Sequence, residues 1–209
     1  MNLPVFKISG TTAMKQLLIL CSFFLFAFTP SGEWELKTNK NGVNVYTKKC
    51  QDPNMHMVKS DVVIKASAER IKSVLFDINN LTHWVYNCTK SEIVSKISNM
   101  ELSYYQVTSV PFPATDRDME VSLKATENPN EIIITLRNVH NKIPVHDDYV
   151  RIEYFESIWT IKKGKTESEV INEVTINPGG SLPNWIINSF LANGPYQTML
   201  HLREIAEKQ

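Results

Sequence analysis

Ile71, Val74, Leu75 and Ile78 recur at the spacing of one helix face. Ser67 stands before them as an N-cap, and Glu69 falls in the first turn, where the helix dipole favours an acid. This predicts a helix that buries one stripe. Around it the pattern is that of strands. Gly42-Val-Asn-Val-Tyr46 alternates after an Asn-Gly turn signal. Residues 55–64 place Val58, Ser60, Val62 and Ile64 on one side, with Lys59 and Asp61 on the other. After the helix, period two governs most of the chain. Met119, Val121, Leu123 and Ala125 alternate with Glu120, Ser122, Lys124 and Thr126, one face dry and one wet. Residues 131–139, 149–155, 157–161 and 169–176 continue the series. Turn-forming breaks at Asn128-Pro-Asn, His146-Asp-Asp and Lys162-Lys-Gly-Lys part them.

The pattern returns to helix at the end. Asn177-Pro-Gly-Gly-Ser-Leu-Pro183 supplies a turn, and residues 184–207 are helical in composition, with a kink expected at Gly194-Pro195. Trp185, Ile186, Ile187, Phe190, Leu191, Met199, Leu200, Leu202 and Ile205 cover more than one face, so this helix must be covered on several sides. The reading is an α+β fold: a curved antiparallel sheet with a long C-terminal helix laid across it. Strand twist curls such a sheet, and the helix then encloses a space. Periodicity is silent on whether side chains or a ligand fill it.

The first thirty residues follow a different logic. Leu17 to Phe28 is uncharged, preceded by Lys15 and followed by Thr29-Pro-Ser-Gly32. That is the layout of a secretory signal peptide, with Met14 as an alternative start. It is short for a bilayer span, which takes about 20 residues. Residues 1–31 are therefore expected to be a signal peptide and 32–209 the functional domain, exported to a periplasm or secreted; the alternative is a membrane tether through an uncleaved signal. A lipoprotein site at Cys21 is disfavoured, because Leu20 is not small. Export would leave Cys50 and Cys88 in an oxidising compartment, where their pairing stays open. Asn80-Leu-Thr82 and Asn87-Cys-Thr89 are glycosylation sequons if the route is eukaryotic.

Composition narrows function mainly by exclusion. Twenty-two basic and 22 acidic residues balance to zero net charge, which argues against a nucleic-acid binder. Five histidines at no ligand spacing and three cysteines give no metal site, and no cofactor is implied. There is no G-x-S-x-G elbow, H-E-x-x-H pair or glycine-rich phosphate loop. The polar cluster His146-Asp147-Asp148 sits in a turn and reads as solvated. Arg117-Asp118, behind Pro111-Phe-Pro113, is the one charged pair in a specified context. Arg117 either grips a ligand carboxylate or phosphate, or makes an ion pair that anchors the strand entrance.

Several segments, in order, resemble the START domain, the steroidogenic-acute-regulatory-related lipid transfer domain. They are Gly42-Val-Asn-Val-Tyr46, Leu81 to Trp84, Pro111-Phe-Pro-Ala-Thr-Asp-Arg-Asp118 and Tyr149-Val-Arg151. The last is Asn177-Pro-Gly-Gly-Ser-Leu-Pro-Asn-Trp185 followed by Asn188 and Asn193-Gly-Pro195, which is similar to phosphatidylcholine-transfer-like members. The resemblance covers roughly residues 33–207. It implies a helix-grip fold around an apolar cavity that binds a lipid or other hydrophobic molecule without catalysis, for transfer or sensing. A monomer is expected, with transient membrane contact left open. Trp84, Tyr105, Arg117, Trp185, Ile187 and Leu191 are the candidate cavity residues. Leu123 stands where sterol-carrying members place an arginine, which weakens a sterol assignment. The competing readings are a cyclase- or aromatase-like helix-grip enzyme, and an interaction module with a filled core.

Overall fold

The computed structural model describes residues 32–139 and 143–208; the expected signal peptide lies outside them. Strands β1 (Glu35–Lys40), β2 (Val43–Lys48) and β3 (His56–Ile64) lead into helix α1 (Ala68–Phe76) and a 3-10 turn, Ile78–His83. Then come β4 (Cys88–Ser98), β5 (Glu101–Thr108), β6 (Arg117–Glu127), β7 (Glu131–Val139), the two-residue β8 (Val150–Arg151), β9 (Tyr154–Lys163) and β10 (Ser168–Asn177). Helix α2 (Asn184–Glu207) closes the chain. The sheet order is β1-β2-β3-β10-β9-β7-β6-β5-β4, antiparallel along that path, with β8 joining β6 in parallel. Helix α2 packs on β2, β3 and α1. This is the α+β architecture expected.

Local chemistry sets the elements. Asn41 and Gly42 both adopt positive φ between paired Lys40 and Val43, the two-residue turn that matches strand twist. Ser67 Oγ accepts from the Arg70 amide at 3.2 Å and starts α1. The stripe Ala68, Ile71, Val74 and Leu75 is buried as the spacing predicts, but the helix ends at Phe76. The Asp77 amide bonds back to the Val74 carbonyl, tightening the last turn, and Ile78 continues the buried stripe from the 3-10 turn. At the other end, α2 spans 184–207 without interruption, with Pro195 inside it. Its buried face, Ile186, Gly194, Tyr196, Met199, Leu202 and Ala206, meets the sheet.

Two strand readings are corrected. Residues 149–155 and 157–161 are not two strands: β9 runs unbroken through Tyr154–Lys163, and only Val150–Arg151 pairs upstream of it. The chain changes partner there. The Ile152 amide bonds to the Asp118 carbonyl of β6, and the Glu153 amide to the Asn177 carbonyl of β10. In β4, register shifts at three places break the period-two pattern. Residues 102–107 of β5 are buried on both faces, so no alternation shows there.

Candidate ligand-binding site

Two adjoining chambers, each of about 190 Å³, lie between the sheet and α2. Leu75, Leu81, Trp84, Tyr104, Leu123 and Met199 wall the inner one. Its sheet side carries a polar rung from three neighbouring strands, Ser60 (β3), Asn172 (β10) and Ser157 (β9). Asn172 is opposite Ser60, and its Nδ2 donates to Ser157 Oγ at 2.7 Å. Trp84 is 3% exposed, and its Nε1 has no partner among the described residues. The outer chamber is walled by Val110, Arg117, Ile152, Ile186, Ile187 and Leu191, among others, with His56 at its edge. Gln106, Met119 and Phe155 line both chambers and form the partition. A wider, polar groove of about 760 Å³ shares His56 and Leu191 with the outer chamber.

Helix α2 serves the two chambers with different halves. Ile186, Ile187, Phe190 and Leu191 face the outer one; beyond Gly194, Pro195, Thr198 and Met199 face the inner one. The second half is tied down. Tyr196 Oη accepts from Asn41 Nδ2 at 2.8 Å, Arg203 donates to the Asn41 carbonyl, Arg70 donates to the Ile205 carbonyl, and Glu207 accepts from the Lys65 amide. The first half is held by apolar contact such as the edge-on Tyr86–Phe190 pair, with centroids 5.5 Å apart.

Arg117 opens β6 and is 4% exposed. Its guanidinium donates to the Thr115 carbonyl and, at 3.3 Å, to the Gly179 carbonyl, while Nε has no partner among the described residues. The Asn177-Pro-Gly-Gly turn is shaped for this contact. Gly179 and Gly180 both take positive φ, and a Cβ on Gly179 would fall 2.7 Å from the Arg151 carbonyl. Burial pulls the Arg117 pKa down from its ordinary value, and neighbouring Asp116 pushes the other way. Asp118 points to the opposite face. Arg151 grips it with two bonds, 2.7 and 2.8 Å, and Tyr105 Oη donates to it at 3.0 Å. Of the two sequence readings of the charged pair, the ion pair therefore belongs to Asp118 with Arg151, and Arg117 faces the outer chamber.

Four of the six candidate residues line the chambers: Trp84 the inner, Arg117, Ile187 and Leu191 the outer. Tyr105 and Trp185 do not. Strand alternation puts Tyr104 on the inner chamber and Tyr105 on the far face, above Asp118. Trp185 is 56% exposed on the outer side of α2. The sequence reading passed over Asn172 and Ser157. Their signal is a polar residue at an inward position: Val170, Asn172 and Val174 share one face of β10, as do Ser157, Trp159 and Ile161 of β9. Cys50 and Cys88 are both free.

The model of the START domain matches residues 22–209. This chain belongs to the START domain family. An uncharacterized protein of Pseudomonas aeruginosa is 27% identical over 85% of this chain and 88% of its own length. The phosphatidylcholine transfer protein of Bos taurus is 24% identical over 89% of this chain and 90% of its own. Among solved structures, a STAR-related lipid transfer protein from Xanthomonas axonopodis superimposes with a TM-score of 0.77 at 25% identity, over 84% of this chain and 99% of that one. The START assignment accounts for the long closing helix and the curved sheet together, and it places the chain among lipid-binding and lipid-transfer proteins.

Proposed function

We propose that this chain is a non-catalytic carrier of a lipid-like molecule held in the two chambers. The observation that carries this reading is the pair of partly open, mostly apolar hollows between the sheet and α2. Packed interiors leave few voids larger than a water molecule, so hollows of this size favour an occupant over a filled interaction module. An apolar chain that leaves water for such walls gains about 0.8 kcal/mol per methylene. An acid–base enzyme needs a titratable pair at the reacting group. Among the described lining residues there is no carboxylate, and the groups present, Tyr104, Arg117 and His56, do not make such a pair.

Ligand enters, on this reading, when the first half of α2 swings away while the second stays anchored. Proline at 195 removes the amide that would bond the Leu191 carbonyl, which weakens the helix at the division. Phe112, 91% exposed, lies two residues from Val110 of the outer chamber, and Trp185 adjoins Ile186. These aromatics fit transient contact with a membrane by a monomer. The N-terminal pattern supports export of this carrier.

Native mass spectrometry of the purified protein tests the reading. The expected result is a stoichiometric co-purified lipid that exchanges into vesicles. A bare mass together with no binding across a lipid panel would overturn it in favour of a packed interaction domain. A crosslink from α2 residues 186–191 to the sheet is expected to stop exchange; unchanged exchange would remove the helix from the entry route.

A further inference from the structure

The outer chamber holds a buried cation that no carboxylate is bonded to. Arg117 is buried, and its two bonded donors meet neutral carbonyls only. Neighbouring acids place their bonds elsewhere, and Asp116 acts on Arg117 only through space. Asp118 lies across the sheet under Arg151 and Tyr105, and Asp116 Oδ1 accepts the Val110 amide at 2.9 Å. No Asp or Glu lines either chamber among the described residues. The start of α2 adds positive potential at the same place: no side chain caps it, no acid lies in its first turn, and Ile186 and Ile187 bring that turn to the chamber wall. A buried unpaired charge is costly to keep, and a ligand that supplies the partner removes the cost.

Size limits what that ligand is. At about 30 Å³ for a group the size of a water molecule, each chamber takes about six methylene-sized groups. The two together suit one aliphatic chain of about ten carbons with its head, and two chains do not fit within them. The partition of Gln106, Met119 and Phe155 is one side chain from each of β5, β6 and β9, thin enough for side-chain movement to join the chambers.

We propose that the ligand is a single-chain amphiphile with an anionic oxygen head, carboxylate or phosphate monoester, seated with its head on Arg117 in the outer chamber and its tail through the partition into the inner one. This rests on the carrier reading above. The guanidinium offers its planar donors to two oxygens of the head, with Nε as the donor now unused.

The delipidated full chain, with decanoate, decyl phosphate, 1-decanol and dipalmitoyl phosphatidylcholine as probes, tests this by intrinsic tryptophan fluorescence and native mass spectrometry. Decanoate or decyl phosphate is expected to bind one to one, at least tenfold more tightly than decanol. The two acids tell carboxylate from phosphate preference. Arg117→Gln should lose at least tenfold for the charged probe and leave decanol within about twofold. Arg117→Lys should recover part of the loss, and thermal midpoints of all variants report folding. Equal binding of decanol and the acids, or unchanged affinity in a folded Arg117→Gln, would overturn the proposal. So would binding of the two-chain phosphatidylcholine alone, although the carrier reading would then stand. Binding of none of the four, with no co-purified lipid, would bring down both.

Discussion

Arg117 and Asp118 are consecutive residues of β6 that serve opposite faces of the sheet. Arg117 turns to the outer chamber without a carboxylate. Asp118, fully buried, holds Arg151 and Tyr105 on the far side. One strand entrance therefore presents a structural ion pair and a cation with no bonded carboxylate back to back, and their substitutions should behave oppositely.

Asp118→Asn is expected to destabilise by about 3–5 kcal/mol, because it removes the carboxylate that the largely buried Arg151 is bonded to. Chemical denaturation checks this. A loss under about 1 kcal/mol would mean that Arg151 reaches water on its own.

Trp84→Phe should cost less than the loss of buried ring volume alone would, and come out near neutral. The ring fills the core, but its N–H is buried without an acceptor, and such a group costs about 1–3 kcal/mol. A drop in the thermal midpoint larger than the lost ring packing accounts for would show that the indole N–H is bonded in solution.

His56 makes stability fall with acid. Burial lowers its pKa below the ordinary value, so folding favours the neutral ring. That contribution is full above the unfolded-state value of about 6.5 and is lost as the pH falls through the lower folded-state value. His56→Gln should flatten the decline in denaturation free energy on going from neutral to mildly acidic pH. An unchanged profile would assign the decline to other groups.

The two thiols should differ in reactivity. Burial raises the Cys88 pKa to about 11, and Cys50, in the β2–β3 connection, is raised as well but is more exposed. Alkylation in mild base should modify Cys50 first and Cys88 only on unfolding. Equal rates in the native protein would contradict the burial of Cys88.

Much of the fold is legible in the sequence because its signals are local. The Asn41-Gly42 turn, the Ser67 cap, the α1 stripe and the 184–207 helix each rest on residues within a few positions of one another. The chambers are legible only in part. Arg117 shares the face of Met119 and Leu123, so period two alone sends it inward. The choice between Tyr104 and Tyr105 depends on Tyr104 lying opposite Val121, a pairing made across the sheet. The merging of two expected strands into β9 likewise depends on Asn138, whose side chain reaches the Ile152 carbonyl and the Phe155 amide from the next strand. Trp185 carries no sign in its own turn that it faces outward while Ile186 faces in.

The place of β3 beside β10 has a consequence for how the chain is made. The first three strands find their neighbour more than a hundred residues later, in the last strand to leave the ribosome. Such distant pairings are slow to form, because the long loop between them must first be closed. The β1–β3 meander and the rest of the sheet cannot join until synthesis is almost complete, and α2 locks onto Asn41 later still. A polypeptide built this way stays open for most of its synthesis, the condition a chain needs if it is to be threaded through a membrane before it folds.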